Sequence, residues 1–141
     1  MFDLKFDFSD FTNEDVLTAM NGIIANSFAG KIGMVITEMK RGFGRAEMVV
    51  EESNFNPART LHGGAIFTLA DTLATGCCIF SYSKLATTTS SHGQFLKPVK
   101  EGKVVAEARA LRMGDKIAVW DVRCFVENDL VAVFTIEHLV F

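Results

Sequence analysis

The segment Thr60–Ser83 carries almost no charge. Its sequence, TLHGGAIFTLADTLATGCCIFSYS, contains one Asp and no Glu, Lys or Arg. Charged residues make up 22% of the chain, so a segment of this length should carry about five by composition alone. No proline interrupts the segment after His62, and Gly63 and Gly64 open it. It is too long for one strand, and the pattern predicts a helix over about residues 63–82.

A membrane span is the first alternative for so apolar a helix, because about 20 apolar residues are enough to cross a bilayer. Asp71 lies well inside the stretch, where a carboxylate costs on the order of 2.5–3.5 kcal/mol. The rest of the chain has the alternation of a soluble sheet rather than of loops flanking a span. We therefore expect a core helix and no membrane.

The helix has two unlike sides. At 100° per residue, one narrow apolar stripe should face the chain's own sheet; it consists of Ile66, Leu69, Leu73, Cys77 and Phe80. Asp71 lies about 160° from the centre of that stripe. Its uncharged neighbours are Phe67, Thr68, Ala74, Thr75 and Cys78. A solvent-facing side would carry Lys and Glu, so a second copy of the chain packed two-fold is the economical cover. The equally weighted alternative is a buried Asp bonded to a neighbouring hydroxyl.

The remaining chain predicts one more helix and six strands. Thr12 as N-cap and the apolar spacing after it predict an N-terminal helix over about residues 12–28. GMVITEM and RAEMVVE around the turn RGFG predict a hairpin, and four period-two runs follow from Ala86 onward. An apolar helix must be buried, so the sheet should wrap it. The fold class is α+β.

Composition limits the function classes. A chain of 141 residues is long enough for one compact core, so we expect a single domain over residues 1–141. With 14 Lys+Arg against 17 Asp+Glu, there is no field to attract nucleic acid. Three cysteines without ligand-like spacing, and no basic and apolar leader at the start, predict no metal, no disulfide and a cytoplasmic location.

The start of the long helix and its acid together suggest acyl-transfer chemistry. Free N–H groups beside the glycines of His62-Gly63-Gly64 could stabilise a carbonyl oxygen that gains negative charge. Asp71 could act as a general base for water or as a nucleophile. The backbones of Gly63 and Asp71 are about 12 Å apart along one helix. A site shared between two chains, with one group from each, would relieve this separation.

These residues resemble a known family. The pattern Asn56, HGGAIFTLAD from His62 to Asp71, then FLKP from Phe95 and Gly102 is similar to the phenylacetic-acid-pathway (PaaI-like) branch of the hotdog-fold acyl-CoA thioesterases. The similarity covers about residues 32–141. It implies a hotdog sheet around the long helix, a homodimer that usually pairs into a homotetramer, and metal-free and cofactor-free hydrolysis of acyl-CoA.

The resemblance also implies roles for individual residues. Asp71 matches the catalytic acid, and Gly63 of the other subunit matches the amide that polarises the thioester carbonyl. Asn56 matches a side chain that positions carbonyl or water, His62 supports the loop, and Thr88 falls where the family often has a hydroxyl beside the acid. Other candidates come from residue type: Gly64 as a substrate contact, and Phe67 and Phe95 as lining of an acyl or aryl pocket. Charge alone suggests four residues for the CoA phosphates, and the favoured alternative is that they are solvated strand residues; they are Lys97, Arg109, Arg112 and Lys116.

Two other functions remain as alternatives. A hotdog-fold acyl-thioester hydratase or dehydratase would need a His paired with the acid, and the nearby His62 precedes the glycines instead. A non-catalytic acyl-CoA-binding module would not need a lone acid on a neutral helix face, because burying a charge is costly. His92 and His138 have no carboxylate or Cys at metal-ligand spacing, so both are interpreted as structural. The acyl group itself stays open among aryl, short and medium aliphatic chains.

Overall fold

The computed structural model describes residues 13–141. Its helices and strands follow in this order: α1 (Asn13–Ala25), α2 (Phe28–Lys31), β1 (Val35–Lys40), β2 (Phe43–Val49), a short 3₁₀ turn (Glu52–Asn54), α3 (Gly63–Tyr82), β3 (Ala86–Phe95), β4 (Lys103–Met113), β5 (Ile117–Val126) and β6 (Asp129–Val140).

The six strands form one antiparallel sheet that curls around α3. Their order in the sheet is β1-β2-β4-β5-β6-β3, and α3 contacts every one of them. Leu69, Leu73 and Cys77 of α3 have no exposed surface, as expected for the stripe that faces the sheet. The predicted α+β class, with six antiparallel strands around a long central helix, is confirmed and matches the hotdog fold.

The apolar character of α3 is that of a core helix. It is the one helix within residues 13–141 that is long and apolar enough to cross a membrane. Its apolar stripe packs on the concave face of the sheet with Trp120 and Val122 of β5, which are fully buried. The hydropathy of the segment is therefore explained by packing inside the fold.

The predicted N-terminal helix is wrong at its end. The helix breaks after Ala25, and Ser27 has extended backbone angles (φ −116°, ψ 178°) before the single turn of α2. The Ser27 hydroxyl donates to the Ile24 carbonyl at 2.7 Å, which is the local bond by which serine competes with a continuing helix. Phe28 is 68% exposed, so it does not extend the apolar face. The expected N-cap, Thr12, lies outside the described residues.

Glycines act differently at the two ends of the RGFG sequence. Gly42 has φ +75° and makes the turn, because glycine adopts this conformation without steric cost. Gly44 already belongs to β2, where an added Cβ would lie 2.3 Å from the Cys77 Sγ. The hairpin is therefore tighter than the sequence predicted, and Gly44 lets β2 approach α3 closely.

The Asp71 side of α3 has fewer exposed residues than the sequence predicted. Ala74 and Cys78, which we placed on the Asp71 side, have no exposed surface in a single chain. The curled sheet covers them, so they need no second copy. On the Asp71 side, a line of half-exposed positions remains along the helix: Thr68, Asp71, Thr72, Thr75 and Ile79.

Candidate active site

Asp71 is held in place by a hydroxyl from the sheet. It is half-buried on α3, and the Thr88 Oγ1 donates to its Oδ1 at 2.6 Å. Thr88 is the third residue of β3, next to a register shift between Thr88 and Ser90 in the pairing with β6. Such bulges redirect side chains. The structure thus brings together the acid and the hydroxyl residue that the family resemblance suggested.

A histidine that we interpreted as structural lies directly behind this pair. His138 Nε2 is 3.2 Å from the Thr88 Oγ1 and 3.0 Å from the Thr75 Oγ1. The ring has no exposed surface. Burial lowers the pKa of His138, and the charge of Asp71 partly opposes that shift. The alternation of β6 contained a signal for this position, because His138 has the same parity as the buried Phe134, Ile136 and Val140.

The N-terminus of α3 presents an open backbone amide. His62 is the N-cap residue, and its Nδ1 accepts a hydrogen bond from the Gly64 N–H at 2.7 Å. The Gly64 amide is therefore already engaged. The Gly63 N–H has no acceptor within residues 13–141, as is normal in the first turn of a helix. Gly63 is thus the donor of this glycine pair that a ligand can use.

Asn56 shapes the loop before α3. Its Nδ2 donates to the Thr60 Oγ1 at 2.9 Å, and its Oδ1 accepts from the Thr60 N–H at 3.1 Å. Its own N–H donates to the Thr60 carbonyl at 2.8 Å. The side chain is half-buried and lines the same cavity as Gly63. This closed turn places an amide group near the free Gly63 N–H.

Three aromatic rings connect the sheet to the start of α3. Phe134 of β6 packs against Phe67 at 5.7 Å between ring centroids and against Phe95 edge-on at 5.6 Å. A Cβ added at Gly63 would lie 3.1 Å from the Phe95 ring. Phe95 is 56% exposed, so its outer face is available beside the glycine.

The acid and the free amide line different cavities. Asp71 opens onto a cavity of about 440 Å³ between α1 and α3. Gly63 opens onto a cavity of about 350 Å³ shared with Asn56, Phe95 and Lys97. Neither of these two cavities is lined by both Gly63 and Asp71. One chain thus carries two half-sites, which we call the acid half-site (Asp71, Thr88) and the amide half-site (Gly63, Asn56).

Comparison with known proteins decides the family of the chain. The sequence profile of the thioesterase superfamily matches residues 58–133, a range that contains both half-sites except for Asn56. The chain belongs to the thioesterase superfamily. The proofreading thioesterase EntH of Klebsiella pneumoniae is 30% identical over 117 residues, covering 82% of this chain and 85% of that protein. A protein of Archaeoglobus fulgidus is 42% identical over 86 residues, but these cover only 60% of this chain and 55% of that protein.

Solved structures agree with this assignment. Thioesterase HI1161 of Haemophilus influenzae superposes with a TM-score of 0.83 at 26% identity, covering 100% of this chain and 95% of that chain. The E. coli PaaI protein superposes with a TM-score of 0.82 at 24% identity, covering 92% and 95%; at that identity the likeness establishes the fold. The family and these relatives make the chain an acyl-thioester hydrolase.

The basic residues of this thioesterase do not gather at one place. Lys97 lines the cavity of the amide half-site and pairs with Asp129 at its surface. Arg112 lies beside Gly114 and Tyr82 at the far end of α3, about 30 Å from Gly63 along the helix. Within one chain, Lys97 is therefore near the proposed carbonyl site and Arg112 is not.

Neither metal nor thiol chemistry is supported within this part of the chain. Residues 13–141 contain no group of three or more His, Cys, Asp or Glu side chains able to hold a metal ion. The three cysteines are buried and free. Burial raises the pKa of Cys78 to about 11 and that of Cys124 to about 12, and it also raises the pKa of Cys77. All three are protonated thiols at neutral pH and poor nucleophiles.

Proposed function

We propose that this thioesterase hydrolyses acyl-CoA to the free acid and CoA at a site made by two chains. Asp71 of one subunit activates the attack on the thioester, and the Gly63 N–H of the other subunit polarises its carbonyl. The observation that carries the proposal is the separation of the acid and amide half-sites into different cavities of one chain. Eight residues of helix also place their backbones about 12 Å apart, too far for one carbonyl to contact both.

The edge strand β3 is the proposed dimer contact. It is ten residues long, contains no Asp, Glu, Lys or Arg, and is exposed on both faces from Thr89 onward. A long uncharged edge leaves a row of backbone groups unpaired and favours pairing with another strand. Two-fold pairing there would continue the sheet into the second subunit. It would also bring the two α3 helices side by side, so that each Asp71 can approach the partner's glycine loop. Further pairing of homodimers into a homotetramer is part of the proposal.

These groups can carry out hydrolysis, and every proton that is removed in the first step is returned in the last. Water attacks the thioester carbon, and Asp71 accepts one of its protons. The negative charge that forms on the carbonyl oxygen is stabilised by the Gly63 N–H at the positive end of the α3 dipole. The C–S bond then breaks, and the proton passes from Asp71 to the CoA sulfur. If Asp71 instead attacks the thioester carbon directly, the C–S bond breaks, CoA leaves as a thiolate that takes up a proton from solvent, and a mixed anhydride remains that water cleaves to the free acid and the Asp71 carboxylate. A single turnover in ¹⁸O-water that labels the Asp71 carboxyl group identifies the anhydride route, because in the general-base route the label enters only the released acid.

The cavity beside Asp71 is the proposed acyl pocket. Its lining from α1 and β1 is entirely apolar: Ala19, Met20, Ile23, Ile24 and Ile36. The α3 side adds Gly76 and Ile79, and its polar groups, Asp71, Thr72 and Thr75, belong to neighbouring turns. Its volume, about 440 Å³, lies within the usual range for small-molecule sites. A pocket of this lining favours an unsubstituted alkyl or aryl group over a hydroxylated one, because buried hydroxyls need partners.

The CoA portion should leave this pocket on the side of the amide half-site. Lys97 and the exposed face of Phe95 border that cavity, and a cation there can pair with a phosphate. The three buried, reduced thiols are compatible with a cytoplasmic location. We include that location in the proposal.

The alternative hydratase chemistry has a weaker geometric basis. The His and acid it needs would be His138 and Asp71, but His138 has no exposed surface and Thr88 stands between the two. His138 therefore cannot reach the carbons of a bound acyl group. A binding module without catalysis would not need a half-exposed carboxylate oriented by a hydroxyl at the mouth of an apolar cavity.

The test is thiol release from a panel of acyl-CoAs by wild type and Asp71→Asn. The near-isosteric Asn should preserve the oligomer and the KM while lowering kcat by about 10² or more, the range for loss of a general base. The matched control is Asp121→Asn, which changes a surface carboxylate paired with Arg123 and should leave kcat within about twofold. Unchanged turnover in Asp71→Asn, or no hydrolysis of any acyl-CoA by wild type, contradicts the proposal.

A further inference from the structure

His138 is the one fully buried polar or charged side chain within residues 13–141. It lies on β6 between its register partners Thr88 of β3 and Ala118 of β5. Its Nε2 is within hydrogen-bonding distance of hydroxyls from β3 and α3. Burying a polar ring in a hydrophobic core costs free energy unless its nitrogen atoms are hydrogen bonded. The hydrogen bonds of His138 therefore indicate its role.

Counting protons fixes the direction of the hydrogen bonds. A carboxylate oxygen only accepts, so the single Thr88 hydroxyl proton points to the Asp71 Oδ1 at 2.6 Å. In its 3.2 Å contact with His138, the Thr88 oxygen can then only accept, which places the proton of the neutral imidazole on Nε2. The competing arrangement, in which a bare Nε2 accepts from the Thr75 hydroxyl at 3.0 Å, would move the ring proton to Nδ1, which has no partner among the described residues. The chain of donation runs from His138 to Thr88 to Asp71.

The other ring nitrogen agrees with this assignment. His138 Nδ1 is buried and has no hydrogen-bond partner among the described residues. An unprotonated Nδ1 leaves one lone pair without a donor. A protonated Nδ1 would instead bury an N–H group without an acceptor. Burial also lowers the pKa of the ring, while Asp71 on α3, the charged group acting on it, raises it. Thr75, Thr88 and Ala118, which face the ring from α3, β3 and β5, are uncharged.

We infer that His138 is a positioning residue for Asp71: its Nε2–H fixes the Thr88 hydroxyl so that this hydroxyl donates permanently to the Asp71 Oδ1. No described group hydrogen bonds to Oδ2, which is left for water or for the thioester carbon. The inference rests on the proposed function only for the role of Asp71. Without the ring, the Thr88 hydroxyl can turn toward Thr75, whose Oγ1 is 3.4 Å away, and release the carboxylate.

The kinetic test compares His138→Phe with His138→Gln. Phe fills the space without a donor, and we expect kcat to fall about tenfold, the effect of one hydrogen bond to a charged group, with KM within about twofold of wild type. Gln carries an N–H₂ donor at a similar reach and should recover most of that loss. Equal kcat in Phe and wild type, or equal losses in Phe and Gln with matching unfolding temperatures, overturns the inference.

A spectroscopic test needs neither folded variants nor activity. Imidazole ¹⁵N shifts of wild type should show a protonated Nε2 and a bare Nδ1 from pH 8 down to pH 6, where an exposed histidine with a pKa near 6.5 is largely charged. A proton on Nδ1, or a ring that is charged at pH 6, overturns the inference. If wild type releases no thiol while the Nε2–H tautomer is found, the proposed function fails and the hydrogen-bond assignment stands.

Discussion

The acid half-site and the amide half-site of one chain differ in how they are built. Asp71 is fixed from behind by Thr88 and His138, which belong to strands of the same chain. The Gly63 N–H lies at the N-terminal end of α3, and the half-exposed Phe95 ring lies 3.1 Å from where a Cβ at Gly63 would be. The acid half-site thus contains the groups that orient its carboxylate. The amide half-site contains a hydrogen-bond donor that has no acceptor among the described residues.

This difference indicates how a symmetric assembly can divide one reaction between two chains. A carboxylate must be oriented before the substrate arrives, so its supports are internal to the fold. An amide at a helix N-terminus is oriented by the helix itself and needs only an approach path. The two half-sites should therefore respond differently to substitution, with the largest loss expected at the Gly63 amide.

Gly63→Pro should abolish the amide half-site while keeping the fold. Gly63 is the first residue of α3, where proline is well tolerated, and His62 has backbone angles (φ −64°, ψ 132°) that a following proline permits. Loss of one donor to an oxyanion lowers kcat by about 10²–10³. The control Gly63→Ala makes the same Cβ contact with Phe95 but keeps its N–H, and it should stay within about tenfold of wild type. Equal losses in both variants would show that crowding, and not the amide, matters.

Mixing the Gly63→Pro and Asp71→Asn variants after unfolding and refolding together should restore activity. Random pairing makes half of the dimers mixed, and each mixed dimer has one intact site out of two, which gives about a quarter of wild-type kcat per chain. Each variant refolded alone stays inactive. An inactive mixture, with mixed dimers demonstrated by mass, would place both groups in the same chain.

A lysine on the uncharged edge should break the assembly. Ser91→Lys introduces a charge in β3, and charged edges oppose strand pairing, so sizing should show a monomer with at least about tenfold lower activity. The same change at Thr37 on β1, an exposed position on the other edge of the sheet, is the control and should leave the oligomer intact. A Ser91→Lys variant with wild-type size and turnover contradicts the β3 contact.

Lys97→Ala should give the smallest effect. Its side chain is 56% exposed and paired with Asp129, so its contact with a CoA phosphate is screened by solvent. We expect KM to rise about two- to fivefold, with kcat unchanged and the difference vanishing at high salt. Lys103→Ala, a similarly exposed cation paired with Glu47 on the sheet, should leave KM unchanged. A change in kcat for Lys97→Ala would mean that this lysine acts on the amide half-site itself.

The helices and strands with a regular hydrophobic period could be predicted from the sequence. Six strands and α3 follow from periods of two and 3.6, which depend only on which side of an element is buried. The end of the N-terminal helix was wrong, because the apolar spacing continued to Phe28. The Ser27 side chain, bonded to the Ile24 carbonyl, ends the regular helix before that residue.

Sequence spacing could relate groups of the candidate site only where they are close along the chain. Gly63 and Asp71 are eight positions apart and share one helix, so spacing could relate them. The contact of His138 with Thr88 spans 50 residues and depends on the register in which β3 pairs with β6. Alternation could place His138 inside the sheet, but it could not identify its partner. Arg112 was chosen for its charge alone, and strand β4 carries it away from Gly63.

The exposed β3 edge also has a consequence for a single subunit before the proposed pairing. Ten consecutive residues without Pro, Asp, Glu, Lys or Arg at the edge of the sheet are a template for any extended peptide. A newly made subunit would therefore be at risk of aggregation until pairing closes that edge. For this thioesterase, self-association would then protect the chain from aggregation as well as complete the active site. Dilution below the dimer dissociation constant should therefore lower both activity and resistance to aggregation.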